Sequence, residues 1–535
     1  MVKRSPTEAP ENAVLSPQKA AALSTADATK PQPRDATKAT VDEGMDVDMG
    51  PFEDAYGDEQ LDEDEGEVVD CASDNERDED MMTLDEFKAQ ADQSTDTPMD
   101  ADGDGQRKVP GAPRVYLPGQ ALEKDEQLEV DQSAYVMLHT LETKWPCLSF
   151  DFLPTPQDQL TTAFPLTAYA VTGSQADMIY RNEVTIMKMS DLHKTQVVDK
   201  KANRTGDDSD SESDDDDDDE QGGGGIDQDP ILEVRTCKHE GGVNRIRANN
   251  YKDKLVAATW ADTGKVHVWD IHSHVKALSV PGAVAPPSAQ KPIYTIASHG
   301  RSEGFALDWS PTEGQLLTGD VDAHIYLTNR DTQSGAFRPD RTAFRGHTSS
   351  IEDLQWSPTE KTVFASASAD QTVRIWDCRQ KKKSALTVQA HDTDVNVISW
   401  NHNTAYLLAS GSDDGVFSIW DLRSFSARSE KHTPVATFKW HHAPITSIEW
   451  HPKEESVLAV SGADDQITLW DLSVEHDAEE MQEMNAATQV EVPPQLLFIH
   501  QGQQHIKEVH WHPQLPGVLM STAQTGLNIF QTISV

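Results

Sequence analysis

Four stretches of this chain end alike: KVHVWDI, TVRIWDC, FSIWDL and ITLWDL, with tryptophans at Trp269, Trp376, Trp420 and Trp470. Each is a short β-type run with polar residues interleaved, stopped by an Asp, as in a half-buried strand entering a turn. A single strand of this kind cannot bury its apolar face, so its recurrence commits the chain to an array of similar sheets. The gap of 107 residues between Trp269 and Trp376 is too long for one repeat. The degenerate copy VDAHIYLTNRD fills it, with Thr328 and Asn329 in the Trp and Asp places. Weaker copies flank the series: NEVTIMKM places Met187 at the position and GLNIFQT places Phe530 there. The seven positions are separated by 82, 59, 48, 44, 50 and 60 residues. The base period is that of a four-stranded propeller blade, roughly 40 to 45 residues, and the excesses read as loops.

The unit GHTSSIEDLQWSPTEKTVFASASADQTVRIWD (346 to 377) resembles the WD40 repeat. That resemblance implies a buried structural set of His347, Asp370, a strand Ser or Thr and Trp376, repeated as His391, Asp414 and Trp420, and not a catalytic triad. The expected fold is all-β, a seven-bladed propeller. Closing the ring removes free sheet edges. The C-terminal blade, VLMSTAQTGLNIFQTISV, needs an outer strand from elsewhere, and YVMLHTLETKWPCLSFDFLP (135 to 154) can supply it.

Charge divides the chain. Lys and Arg total 45 against 91 Asp and Glu, a net charge of −46, with a hydrophobic fraction of only 36%. Residues 1 to 110 bear few large apolar groups and are expected to be an acidic disordered tail, with MMTLDEFKAQ (81 to 90) its one amphipathic stretch. A second acidic disordered element is expected at about 199 to 228, containing Asp214, Asp215, Asp216, Asp217, Asp218, Asp219 and Glu220 and followed by four glycines. Ser209, Ser211 and Ser213 each have an acidic residue three positions on, which suits an acid-directed kinase. Such a field disfavours nucleic-acid and anionic-membrane partners and favours a basic one. Cys71, Cys147, Cys237 and Cys378 show no paired spacing and read as free thiols of a reducing compartment. The first residues lack an apolar signal region, and a soluble intracellular protein is expected.

The segment 135 to 154 resembles the N-terminal helix and first strand of the histone-binding WD40 subfamily, and VEVPPQLLFIHQG (490 to 502) resembles its proline-pair loop. The resemblance implies a lead-in and side helix at 111 to 145, a propeller at 146 to 535, and a loop at about 473 to 495. It also implies a side groove in which Leu128, Tyr135 and Leu138 face Val492, Pro493 and Pro494. RVYLPGQ (114 to 120), the acidic tail and the acidic insertion before HEGGVNRIR resemble the glutamate-rich WD-repeat family, although the run here is rich in Asp. That family implies a non-enzymatic, monomeric chaperone without cofactor. Its client would be a newly made basic ribosomal protein, the third of the large subunit, collected in the cytoplasm and delivered to pre-ribosomes in the nucleus and nucleolus. Two alternatives stand beside it. One is a histone chaperone or chromatin adaptor acting on core histones. The other is a ubiquitin-ligase substrate receptor, because WDCR (376 to 379) and WDLR (420 to 423) resemble its Arg-bearing box.

No phosphate loop, nucleophile elbow or zinc spacing occurs, and His441, His442 and His451 are set against a metal by His442 lying near the usual blade histidine position. Counting four and six residues back from each strand Trp gives the residues of the narrow top face. These are Glu303, Phe305, Ser350, Glu352, Asp394, Asn396, Pro444, Thr446, His505 and Lys507, with Asn244 by the same register. Three carboxylates against one lysine make this rim acidic, and Phe305 is expected as an exposed aromatic anchor.

Overall fold

The computed structural model describes residues 2–6, 114–116, 126–195, 229–252, 254–331, 333–425, 432–475 and 492–535. The acidic run, Ser209, Ser211 and Ser213, the stretch 81 to 90, Cys71 and most of the 473–495 loop lie outside these residues.

Seven four-stranded antiparallel sheets follow one another along the chain. Blade 1 is built from Phe150–Leu153, Leu166–Gly173, Glu183–Leu192 and Ile231–Lys238. The third strands of blades 2 to 7 are Val266–Asp270, Ile325–Arg330, Thr372–Asp377, Val416–Asp421, Gln466–Asp471 and Gly526–Thr532. All seven positions of the repeat, the degenerate Met187, Thr328 and Phe530 included, fall on third strands.

The core is a set of wedges between blades, because each sheet buries both faces against its neighbours. Trp356, Phe364 and Trp376 of blade 4 pack with Leu317, Leu327 and Phe344 of blade 3, and Tyr169, Val171 and Val184 of blade 1 with Ile246, Leu255 and Trp269 of blade 2. The wedge between blades 7 and 1 joins the two ends of the ring, with Met520, Leu527 and Ile529 on Phe150, Met187 and Met189.

Ring closure differs from one expectation and meets another. Tyr135–Leu141 is a strand, not a helix, and pairs antiparallel with Gly526–Thr532 as the outer strand of blade 7, Leu138 opposite Phe530 and Leu141 opposite Leu527. Only Gln132–Ala134 before it turns, as a single 3-10 turn. The unpaired edge of the C-terminal strand decides this, since a helix at 135 to 141 would leave a row of edge N–H and C=O groups unmet. Tyr135 and Met137 then point inward at strand spacing. The Tyr135 hydroxyl lies 2.8 Å from His500 Nδ1, and its ring packs edge-on against Phe498 and Phe530. The boundary expected at 110 also shifts: Val2–Pro6 is the central strand of a small sheet between Arg114–Tyr116 and Glu126–Val130, with Val2 opposite Val130.

The closure can be titrated. Tyr135→Phe keeps the ring and removes one hydroxyl, and is expected to cost about 1 kcal/mol. Tyr135→Ala opens the wedge between blades 6 and 7 and is expected to cost about 3–5 kcal/mol. Urea unfolding of both variants beside the wild type measures the difference; equal midpoints for all three would remove Tyr135 from the closure.

Candidate protein-binding face and central channel

The structural sets form as the repeat requires. His347 bonds Asp370 at 2.8 Å and Ser366 Oγ at 2.6 Å, and Ser366 accepts the Trp376 indole N–H at 2.8 Å. The connectivity is that of a Ser-His-Asp triad, yet the hydroxyl is sealed from solvent and already holds the indole. In blade 5 His391 bonds Ser410, which accepts from Trp420, while Asp414 binds Ser412 and the Val416 N–H instead of the histidine. In blade 6 the blade histidine is His441, on Asp464 and Thr468, and His442 lies one place beyond it, with its ring on the Trp440 carbonyl. Among the described residues no group of three or more His, Cys, Asp or Glu could hold a metal ion.

The counted rim residues stand at one end of the ring. The carbonyls of Glu303, Ser350, Asp394 and Pro444 each accept an N–H from the turn between the second and third strands of their own blade, at 2.8 to 3.1 Å. Asn244 is buried and committed: its amide reaches Glu303 and Gly304 and accepts from Gln175. Asn396 spans to Asp413 and the Ile445 carbonyl, and Thr446 bonds Ser461. Lys507, His505 and Glu303 are exposed, whereas Phe305 is half-buried and is not the exposed anchor expected. Burial pushes the Glu352 carboxyl up against the pull of Ser350 and Arg245, with Asp394 and Asp413 adding to the rise. The mouth is therefore a carboxylate cluster.

The apolar part of this face was missed. Gln175–Asn182, the turn between the second and third strands of blade 1, holds Met178, Ile179 and Tyr180 at 45%, 60% and 69% exposure. Its Ile179 carbonyl accepts the Gly241 N–H at 3.3 Å, which sets it beside the rim of blade 2. The signal in the sequence was its length, since the corresponding turns elsewhere are short Asp-led ones.

Sequence reading also missed the channel. Positions one and three before each strand Trp point to the axis and place Asp151, Arg245, Arg247, Asp308, Asp353, Glu449, Glu508 and His510 around it. Glu508, fully buried, accepts from Arg245 at 2.6 Å, Arg247 at 2.8 Å and the Phe150 N–H at 2.9 Å. Burial opposes its charge, but Arg247, His510 and Arg245 outweigh burial and hold it well below the usual carboxylate range. Burial likewise works against the His510 cation, yet Glu449 and Glu508 raise it to about 9. Asp308 is pushed up by burial to about 7, and Asp353 and Asp151 rise for the same reason. The signal was a charged residue at alternate places in otherwise apolar strands, as in ALDW, IEDLQW and EVHW.

The six residues expected in a side groove do not share one. Tyr135 is buried and Leu138 half-buried in the wedge between blades 6 and 7; Val492 packs in the wedge between blades 5 and 6; Pro493 and Pro494 are half-buried beside it; Leu128 is exposed on Glu126–Val130.

A closed ring of seven such blades with an acidic rim and an exposed apolar turn defines a WD-repeat protein built to bind other macromolecules. The chain is 46% identical over 504 residues, 93% of its own length and 96% of the relative's, to the ribosome assembly protein rrb1 of Schizosaccharomyces pombe. It is 49% identical over 438 residues, 80% of its length and 86% of the relative's, to the glutamate-rich WD repeat-containing protein 1 of Dictyostelium discoideum. The chain belongs to this glutamate-rich WD-repeat family. Over 161 residues, 29% of its length and 34% of the relative's, it is 29% identical to the histone acetyltransferase type B subunit 2 of Aspergillus oryzae. Residues 125–193 match the family of the histone-binding protein RBBP4 and the CAF1 complex, and residues 296–515 match nucleolar protein 10-like, N-terminal domain.

The channel fixes a pH dependence. A histidine held at about 9 instead of 6.5 stabilises the fold fully below about pH 6.5, and that contribution is lost as pH rises through 9. Asp308 acts in the same direction lower down: held near 7 instead of 3.8, it lowers stability as pH climbs between those values. Thermal unfolding from pH 5 to 9 is expected to show His510→Gln flattening the alkaline decline. Asp308→Asn, which keeps an oxygen for the Trp356 N–H, should flatten the acid one, while Asp308→Ala should cost about 1–3 kcal/mol. Unchanged pH profiles in the Gln and Asn variants would contradict both assignments.

Proposed function

We propose that this protein is a non-enzymatic ribosome-assembly chaperone. It binds a newly made, highly basic protein of the large ribosomal subunit, the third, holds it away from stray polyanions, and hands it to pre-ribosomes in the nucleus and nucleolus after collecting it in the cytoplasm. The observation that carries this reading is the near full-length similarity to a ribosome assembly protein. The sequence and site supply a mechanism. Acidic stretches at 1–109 and 196–228 attract a basic client over distance and raise its encounter rate without fixing a geometry. The rigid rim supplies selectivity, with Glu303, Glu352, Asp394 and Asp413 for cationic side chains and Met178, Ile179 and Tyr180 as apolar anchors. RNA, with its continuous phosphate charge, then competes the client away. Phosphorylation at Ser209, Ser211 and Ser213 would add roughly 1.5 to 2 negative charges per site and strengthen the attraction.

A second reading, a histone chaperone, is favoured by the match of residues 125–193 to a histone-binding family. The ligase reading has less behind it: Arg379 and Arg423 each fold back onto the Asp of their own box, Asp377 and Asp421, at 2.5 and 2.7 Å.

Stopped-flow association with the purified third large-subunit protein, and separately with core histones, tests the reading at several salt concentrations. Replacing the Asp214–Glu220 carboxylates by their amides is expected to slow client association by at least about tenfold at low salt and to flatten its salt dependence, while scrambling the run leaves both unchanged. Ile179→Asp with Tyr180→Ala is expected to speed dissociation by about tenfold or more. A scramble as defective as the amide variant would replace the charge mechanism with a docked peptide, and tight binding of histones alone would replace the client.

A further inference from the structure

Among the described residues, positive charge gathers on the outside of the ring where blades 3 and 4 meet. Arg338, Arg341 and Arg345 lie on the last strand of blade 3 and the segment after it, and Arg379, Lys382 and Lys383 on the turn between the third and fourth strands of blade 4; all six are exposed. The two segments are fastened together. The Arg345 N–H donates to the Lys381 carbonyl at 3.1 Å, and the Lys381 ammonium pairs with Asp340 and sits over the Phe344 ring. Arg338 lies 3.5 Å from Asp331, and Arg379 is taken by Asp377. Arg341, Arg345, Lys382 and Lys383 have no carboxylate within ion-pair distance among the described residues.

The composition of this strip points to its ligand. No large apolar side chain is exposed on either segment, in contrast to Met178, Ile179 and Tyr180 across the ring. Protein interfaces centre on apolar and aromatic residues, whereas a phosphate backbone is met by Lys and Arg alone, the guanidinium forks matching phosphate oxygens. The net charge of −46 argues against a polyanion only as an average. Most of it falls in 1–109, 196–228 and 476–491, and charges in water are screened over about 8 Å at physiological salt. The chain's own acidic run is the rival ligand, but it is inserted in blade 1, between Leu192 and Ile231, and not beside blades 3 and 4.

We propose that this strip is a docking site for the phosphodiester backbone of RNA, engaged without base selection. The inference stands apart from the client reading, because it uses neither the rim nor the acidic segments. It also narrows the expectation of no direct nucleic-acid contact, which rested on the averaged charge.

Fluorescence anisotropy with fluorescein-labelled single-stranded and duplex RNA of about 20 nucleotides, titrated with full-length protein from 50 to 200 mM KCl, tests it. Binding to both RNAs is expected, with a salt slope equivalent to about three or four phosphates. The variant R341E/R345E/K382E/K383E should bind at least about tenfold more weakly with a smaller slope, at an unchanged melting temperature. Lys265→Glu with Lys507→Glu, at the rim, should bind as the wild type does. No binding at 50 mM KCl, or equal affinity of wild type and the four-site variant, would overturn the proposal. So would binding that appears only after the Asp214–Glu220 carboxylates are replaced by amides, which would assign the strip to the chain's own acidic run.

Discussion

The inner strand of every blade turns one hydrogen-bonding edge toward the ring axis, and the architecture depends on how those N–H groups are met. They are met by side chains of the preceding blade. Asp151 accepts from the Ala248 N–H at 2.7 Å, Asp308 from Trp356 at 2.7 Å, Gln355 from Trp400 at 2.6 Å, Ser399 from Trp450 at 3.3 Å and Glu449 from Trp511 at 2.8 Å. Ser149, Asp353 and Glu508 do the same two residues earlier, on Ile246, Ile398 and Phe150. Each bond contributes only about 1 kcal/mol net, but leaving such a donor unmet costs more, so the stitching fixes the rotation of each blade against the next. Glu508 joins the last blade to the first and at the same time neutralises Arg245 and Arg247 of the second.

That arrangement explains why so many charges lie near the axis of a folded ring. Carboxylates serve as acceptors on the stitch, and the two arginines and His510 offset the desolvation of only part of them. Asp308, Asp353 and Asp151 remain raised because burial exceeds what their N–H partners return. The channel thus belongs to the structure of the ring, and recognition is left to its outer surfaces.

Those surfaces divide by charge and by polarity. One end presents carboxylates with an apolar turn, a composition suited to a folded or extending basic protein. The junction of blades 3 and 4 presents bare cations. A strongly negative chain can carry both because its charge is distributed unevenly along the sequence, and a sum over residues hides a strip only two short segments wide.

The repeat, its count and the third-strand positions were legible in the sequence because the Trp-Asp ending and its degenerate forms are local signals of strand and turn. The rim register was legible for the same reason, since a fixed distance from a strand Trp fixes a place on a blade. The state of Tyr135–Leu141 was not: Tyr135, Leu138 and Leu141 suit a helix face nearly as well as a strand, and only the free edge of Gly526–Thr532, almost four hundred residues later, selects the strand. Nor could the sequence show that Asn244 is consumed by Glu303 and Gly304, that Phe305 is half covered, or that Arg345 and Lys381 meet. These depend on which blades become neighbours when the ring closes. By itself the sequence determined the blade and the number of blades, because those follow from patterns a few residues long. The tertiary structure decided which charges are neutralised, which apolar groups stay exposed and which cations stand together, because pairing and burial are set by contacts between residues far apart in the chain.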